Sequence, residues 1–298
     1  MNLVLDEKNV RKGKPIGLPY VGSKKKISKK IAQIIAQNFG NDKPFYDLFG
    51  GGGAVSLEMM LNGFENVHYN DLDSMTFAAF KAVLYEDFDV RDLIISRKEF
   101  FDIRDKEHDG IEELKLLANS FGNDRKSYIY AKSFSDEKTE LALKIVREEE
   151  NWRRYKQTET YKQHNENKPS HLRRIQQIQQ IEQIGRIQQV ERIQRVDAHI
   201  NVTNKDYKWF SELSGSLLYL DPPYQNATDK YKTGNFDSLE FYDWAYKMSK
   251  KNIVIISSYE ISDERFEPVF EFKNARSTLN SSGLGNRTEK LFMVKAGL

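Results

Sequence analysis

The chain of 298 residues contains no cysteine. That absence excludes structural disulfides and thiolate-bound zinc, and it agrees with a reducing cytoplasm. The five histidines, His68, His108, His164, His171 and His199, have no metal-ligand spacing, so no bound metal is expected. Long apolar runs are missing too. Stretches such as Ile253 to Ile256 fall far short of the roughly 20 residues of a membrane-spanning helix. No apolar segment follows a basic start in MNLVLDEKNVRKGK, so a secretory signal is not expected. Proline is scarce, with 7 in all, and two of them stand side by side at Pro222 and Pro223. What is there, 39% hydrophobic residues, suffices for a folded chain of one large domain or two modest ones.

The paired prolines interrupt LLYLDPPYQNATDKY, where Leu217 to Leu220 reads as a short buried strand. Proline donates no backbone hydrogen bond and fixes φ near about −65°, so the ladder stops and Asp221 and Tyr224 are held in one turn. Loops at the carboxyl ends of strands are where open α/β sheets place ligands. A second signal is PFYDLFGGGGAVSLEMML, which predicts a strand over Phe45 to Phe49, a tight loop of four glycines, and a helix ending near Asn62. Glycine lets backbone approach a ligand closely, and the helix start offers unpaired N–H groups. VHYNDLD then predicts a strand over Val67 to Asn70 that ends in Asp71 and Asp73. An acid there can accept hydrogen bonds from ribose hydroxyls. Asp71 taken alone suits a helix cap or turn equally well. The loop has neither the G-x-G-x-x-G spacing of NAD binders nor the Gly-Lys-Ser/Thr of a P-loop.

The net charge of +2 conceals basic clusters. Five lysines fall between Lys24 and Lys30, and residues 151–174 carry a local charge of +5 with Trp152, Tyr155 and Tyr161 interleaved. Basic and aromatic side chains together suit a surface that tracks phosphates and touches bases. A solvated helical face gives the same pattern.

Taken together and in this order, the motifs resemble those of N6-adenine DNA methyltransferases of the Dam-like class, in particular phage-type members. That class places target recognition between the cofactor and catalytic motifs. Its cofactor loop is matched by Asp47, Phe49, Gly51 and Gly53, with Leu48 where many members have proline. LPYVGSKKK resembles its N-terminal cofactor motif and nominates Tyr20, Gly22, Ser23 and Lys24. Asp221 to Tyr224 match its catalytic motif in full. The resemblance implies an α/β, class I S-adenosylmethionine-dependent (Rossmann-like) sheet over residues 1–95 and 200–298. An inserted, mainly helical target-recognition module is expected over 96–171.

The implied reaction transfers a methyl group from S-adenosyl-L-methionine to N6 of an adenine flipped out of double-stranded DNA. Asp221 and the Pro222 carbonyl would accept the two amine hydrogens, Pro223 would hold the turn, and Tyr224 would stack on the base. Asp71, Asp206 and Tyr207 are further cofactor-binding candidates. In the inserted module Asn119, Asn123, Arg125 and Lys126 are candidates for DNA contact, although turn positions facing solvent look the same. Cytosine-N4 presents a similar exocyclic amine, and a catalytically inactive DNA-binding protein could keep the same fold.

HLRRIQQIQQIEQIGRIQQVERIQRV repeats an apolar residue at every third position, from Leu172 through Ile175, Ile178, Ile181 and onward to Val196. On an α-helix that stripe slips about 60° per step and winds around the axis, so no single flat partner buries it. Residues 172–199 are therefore read as a helical spacer, with contact to a partner molecule through 172–197 as the alternative.

Overall fold

The computed structural model describes residues 2–166, 181–223, 236–276 and 288–297. Tyr224 and the first repeat positions, Leu172, Ile175 and Ile178, lie outside the described residues. Along the chain run α1 (Ser28–Phe39), β1 (Phe45–Asp47), α2 (Ala54–Leu61), β2 (Val67–Asn70), α3 (Ser74–Tyr85), α4 (Arg97–Arg104), α5 (Gly110–Asn119), α6 (Ser135–Glu148), α7 (Glu159–Glu166) and α8 (Glu182–Gln194). There follow β3 (Ile200–Thr203), β4 (Leu217–Leu220), α9 (Ser238–Met248), β5 (Ile253–Ser258), β6 (Phe266–Arg276) and β7 (Thr288–Val294). No helix among the described residues is long and apolar enough to cross a membrane.

These elements form two compact units, one of Met1–Ile16, Lys24–Phe77 and Ala198–Leu298, the other of Gly17–Ser23 and Ala78–Asp197. The first holds a seven-stranded sheet in the order β3-β2-β1-β4-β5-β7-β6. Six strands point the same way, and β7 alone runs antiparallel, inserted between β5 and β6. β4 is buried at every position, as a central parallel strand covered on both faces must be. From β1 the order steps outward to β2 on one side and to β4 and β5 on the other, which makes the carboxyl ends of β1 and β4 the switch point of the sheet.

The longer segment of the second unit begins at residue 78, earlier than the boundary near 95 expected from sequence. The reason is packing: the short helix Val90–Leu93 lies against α5, α6 and α8 of its own unit. Asp109 and Glu112 form a reciprocal capping box that starts α5. Gly110 follows because a Cβ there would stand 2.4 Å from the Ala78 carbonyl oxygen.

The expected spacer is instead, over Glu182–Gln194, a helix at the centre of this unit. Ile184, Ile187, Val190 and Ile193 are each 0% exposed, and Ile181 just ahead is buried too. The winding stripe has what it requires, partners on several sides: α5, α6, Val90–Leu93 and the short helix Trp152–Gln157. Apolar positions that circle a helix suit burial within a core better than contact along one face. The apolar positions of the repeat from 181 to 193 are thus enclosed by their own unit and do not form an outer face for a partner. Ile187→Ala should accordingly destabilise the second unit by about 2–5 kcal/mol in chemical unfolding followed at Trp152. A spacer would lose less than about 0.5 kcal/mol.

Candidate active site at the carboxyl ends of the central strands

β1 and β4 pair with Asp47 opposite Tyr219, and the Leu48 amide donates to the Tyr219 carbonyl at 3.2 Å. The chain leaves β1 into the four glycines beside the point where it leaves β4 into Asp221-Pro222-Pro223. The Gly50 amide donates to the Asn70 carbonyl at 2.8 Å, and a Cβ on Gly50 would fall 2.2 Å from the Tyr69 ring. The Tyr69 hydroxyl closes the same turn by donating to the Gly51 carbonyl at 2.8 Å. Gly51 and Gly53 have φ of 49° and 69°, left-handed values that favour glycine.

Asp71 accepts from the Gly51 amide at 2.7 Å and from the Asp73 amide at 2.9 Å. The cap on α3 is Asp73, which accepts from Met75 and Thr76. Of the two readings open for Asp71, the helix cap therefore belongs to its neighbour, and Asp71 braces the glycine loop.

Asp47 is 1% exposed. One carboxylate oxygen accepts from the Ser56 hydroxyl at 2.7 Å, while Oδ1 has no hydrogen-bond partner among the described residues. Burial pushes this carboxyl up to about 7; the Ser56 hydrogen bond pulls down, and the charges of Asp221 and Asp71 add to the rise. Phe49 packs its ring against Tyr207 and Phe241, at centroid distances of 5.8 and 5.7 Å. Tyr207 is buried in that aromatic cluster. Asp206 is exposed and caps the short helix Tyr207–Phe210 through the Lys208 amide.

Lys24 stands apart from its neighbouring lysines. Its ammonium donates to both oxygens of Asp221 at 2.6 Å and lies 3.8 Å from Glu289 on β7. With side chains 10% and 17% exposed, Lys24 and Asp221 form a shielded pair and not a surface one. Burial pushes the Asp221 carboxyl up to about 6, Lys24 pulling it down and Glu289 raising it further. The Lys24 ammonium is held well above its ordinary range, the pull of Asp221 and Glu289 outweighing its burial. Glu289, 4% exposed, is fixed by the Ser257 hydroxyl at 2.8 Å. Sequence reading passed over Glu289 and Ser257. The available signal was a charge within the apolar strand TEKLFMV.

Asp47, Phe49, Gly51, Gly53, Lys24, Asp71, Tyr207 and Asp221 thus belong to one unit. Tyr20, Gly22 and Ser23 fall in the other. In that second unit the DNA-contact candidates separate. Asn119 is 0% exposed; its amide nitrogen donates to the Leu93 and Lys115 carbonyls, both at 2.7 Å. It is a structural residue, which corrects its expected role, because its oxygen is taken up by the Ile95 amide and the Gln183 side chain and its nitrogen by two carbonyls, leaving nothing for a base. Asn123, Arg125 and Lys126 lie on a loop closed by the bridge between Ser120 and Tyr128, with Phe121 66% exposed upon it. Trp152, expected among contact aromatics, is 5% exposed and belongs to the core.

A doubly wound sheet with acids and a glycine loop at its switch point defines a nucleotide-binding class of fold. The model of the D12 class N6 adenine-specific DNA methyltransferase family matches residues 20–266, and the chain belongs to that family. No curated protein matches it. The protein is therefore an enzyme, a site-specific adenine DNA methyltransferase on the class I fold. Its family implies S-adenosylmethionine as methyl donor and DNA as substrate, and membership favours adenine N6 over cytosine N4.

The raised carboxyl of Asp47 has a testable consequence. Ionising it costs the folded state; that cost is absent below about pH 4 and complete above about pH 7. Asp47→Asn keeps an oxygen for Ser56 and removes the cost. Its Tm should match the wild type near pH 4 and exceed it by on the order of 5 °C at pH 8, measured by scanning calorimetry. An offset independent of pH would contradict the assignment.

Proposed function

We propose that Asp221 and the Pro222 carbonyl accept the two hydrogens of the adenine amine, and that the glycine loop with Asp47, Phe49 and Asp71 holds the methyl donor beside them. The observation that carries this reading is the hydrogen bond from Leu48 to Tyr219, which joins the glycine loop to the catalytic turn. The residues present suit a cationic cofactor. Asp221 and Glu289 flank the Lys24 ammonium, the charges of Asp71 and Asp221 act on Asp47, and Asp47 keeps a buried oxygen unpartnered among the described residues. S-adenosylmethionine, when bound, supplies a methyl group already activated on a sulfonium, so no metal is needed to activate it.

The amine nitrogen of adenine is a poor nucleophile because its lone pair is drawn into the ring. Accepting both of its hydrogens turns that lone pair outward and stabilises the positive charge that develops on nitrogen. Lys24 fixes both oxygens of Asp221, and a carboxylate has about four lone-pair positions, so acceptor capacity remains for the amine. As the new N–C bond forms and the methyl–sulfur bond breaks, the nitrogen loses one proton, for which Asp221 is the nearest base in this reading. Pro223 holds the turn, and Tyr224 stacks on the flipped base, worth roughly 1–3 kcal/mol against an extrusion cost of a few kcal/mol. Asp206 and Tyr207 complete the cofactor contacts on the first unit. On the second unit Phe121, Asn123, Arg125 and Lys126 meet DNA, the exposed ring for stacking and the polar side chains for bases and phosphates.

Incubation with unmethylated duplex DNA and S-adenosylmethionine carrying a deuterated methyl group, followed by digestion to nucleosides and mass spectrometry, should give labelled N6-methyldeoxyadenosine. Asp221→Ala should lose at least about 10³ of the rate, the scale of losing a key transition-state acceptor. Because only the ionised carboxylate accepts, the wild-type rate should fall tenfold per pH unit below about 6 and level off above it. Labelled cytosine, or an active Asp221→Ala, would overturn the reading.

A further inference from the structure

The loop from Ser120 to Tyr128 is held in an unusual shape. The Phe121 amide donates to the Ser127 carbonyl at 2.7 Å, and the Ile129 amide donates to the Asn119 carbonyl at 2.7 Å. Between these ties, Asn123 and Arg125 both adopt left-handed backbone, with φ of 60° and 61°, which a side chain such as that of arginine seldom does. Such a shape persists only if its surroundings enforce it. Arg125 pairs with buried Glu113 on α5 at 3.0 Å, and Arg104 on α4 donates to the Lys126 carbonyl at 3.0 Å.

The remaining supports come from the repeat. Gln183, 0% exposed, donates its side-chain amide to the Asn119 side-chain oxygen at 2.6 Å and to the Tyr128 hydroxyl at 3.1 Å, the two residues at the base of the loop. Arg186 donates one guanidinium nitrogen to the Leu117 carbonyl at 3.2 Å and to the Asn123 side-chain oxygen at the crest. Positions three apart lie on neighbouring parts of one helix face, so the period that winds the isoleucines through the core also brings these polar side chains to one loop.

We infer that Gln183 and Arg186, one repeat apart on α8, are positioning residues for sequence recognition. They act through Asn119, Tyr128 and Asn123 to fix the base and crest of the loop that meets DNA. This rests on the reading that the loop carries the DNA contacts. The repeat is then part of the recognition machinery from inside the unit, while touching no base itself.

The test uses the full chain on plasmid DNA of mixed sequence, with methylated positions mapped by sequencing and steady-state kinetics measured on the most frequent site. Arg186→Ala should raise KM for DNA about tenfold with kcat within about twofold, and should admit sites that differ from the wild-type motif by one base. Asn123→Ala should produce the same defects, and the double variant should be no worse than either, because the two residues act as one unit. Cofactor affinity should not change in any of them, a readout that general unfolding would move. If Arg186→Ala lowers Tm too far for assay, Arg186→Gln, which keeps a donor for the Leu117 carbonyl, decides the matter by the same shift in motif and KM. An unchanged motif and KM in Asn123→Ala, or fully additive losses in the double variant, would overturn the inference. Phe121→Ala and Lys126→Ala separate the two levels. If they weaken DNA binding while Arg186 and Asn123 variants do not, the loop reading stands and the positioning role fails. If they too leave DNA binding intact, the loop reading itself is wrong.

Discussion

The pairing of β1 with β4 is the constraint on which the site depends. The two strands are separated in sequence by Ala78–Asp197 of the second unit, yet they run side by side from Phe45 against Leu217 to Asp47 against Tyr219. Neighbouring strands stand about 4.8 Å apart, so whatever follows each of them must share one crevice. Neither the glycine loop nor the Asp-Pro-Pro turn is informative alone. The register of this pair sets them side by side, and Lys24, far away at the start of the chain, reaches Asp221.

The electrostatics of the site follow from that closeness. Buried acids close to one another destabilise the fold unless something compensates them, and Asp47 and Asp221 are both pushed up by burial. A group that brings positive charge relieves that cost, and in the reaction such charge arrives with the donor and develops on the amine. Lys24 restrains Asp221 in an ionised, oriented form, and Glu289 with Ser257 restrains Lys24. Asp221 is thus the first member of a buried chain of partners that reaches β7.

Much of this was legible in the sequence, because it rested on backbone constraints that only certain residues meet. Four glycines after an apolar run, and two prolines after another, mark strand ends wherever they occur. The place of Asp221 at the end of a buried strand could likewise be read from its setting. What sequence did not show was which side chains face inward. Asn119 and Trp152 carry the same letters whether they meet DNA or close a core, and here they close a core. The triplet repeat was legible in its geometry but not in its place: a stripe that winds around a helix was recognised, while the set of helices that enclose it came from the fold. Glu289 was hidden because its partner, Lys24, lies at the other end of the chain.

The most direct measurement is a crystal structure of the full chain with S-adenosylhomocysteine and a duplex containing the methylated site. The account predicts the nucleoside on the loop Gly50–Gly53 with its ribose at Asp71, and the amine of an extruded adenine within hydrogen-bonding distance of both Asp221 and the Pro222 carbonyl. A cofactor bound away from the β1 and β4 ends, or an extruded base whose amine faces groups other than Asp221, would contradict it.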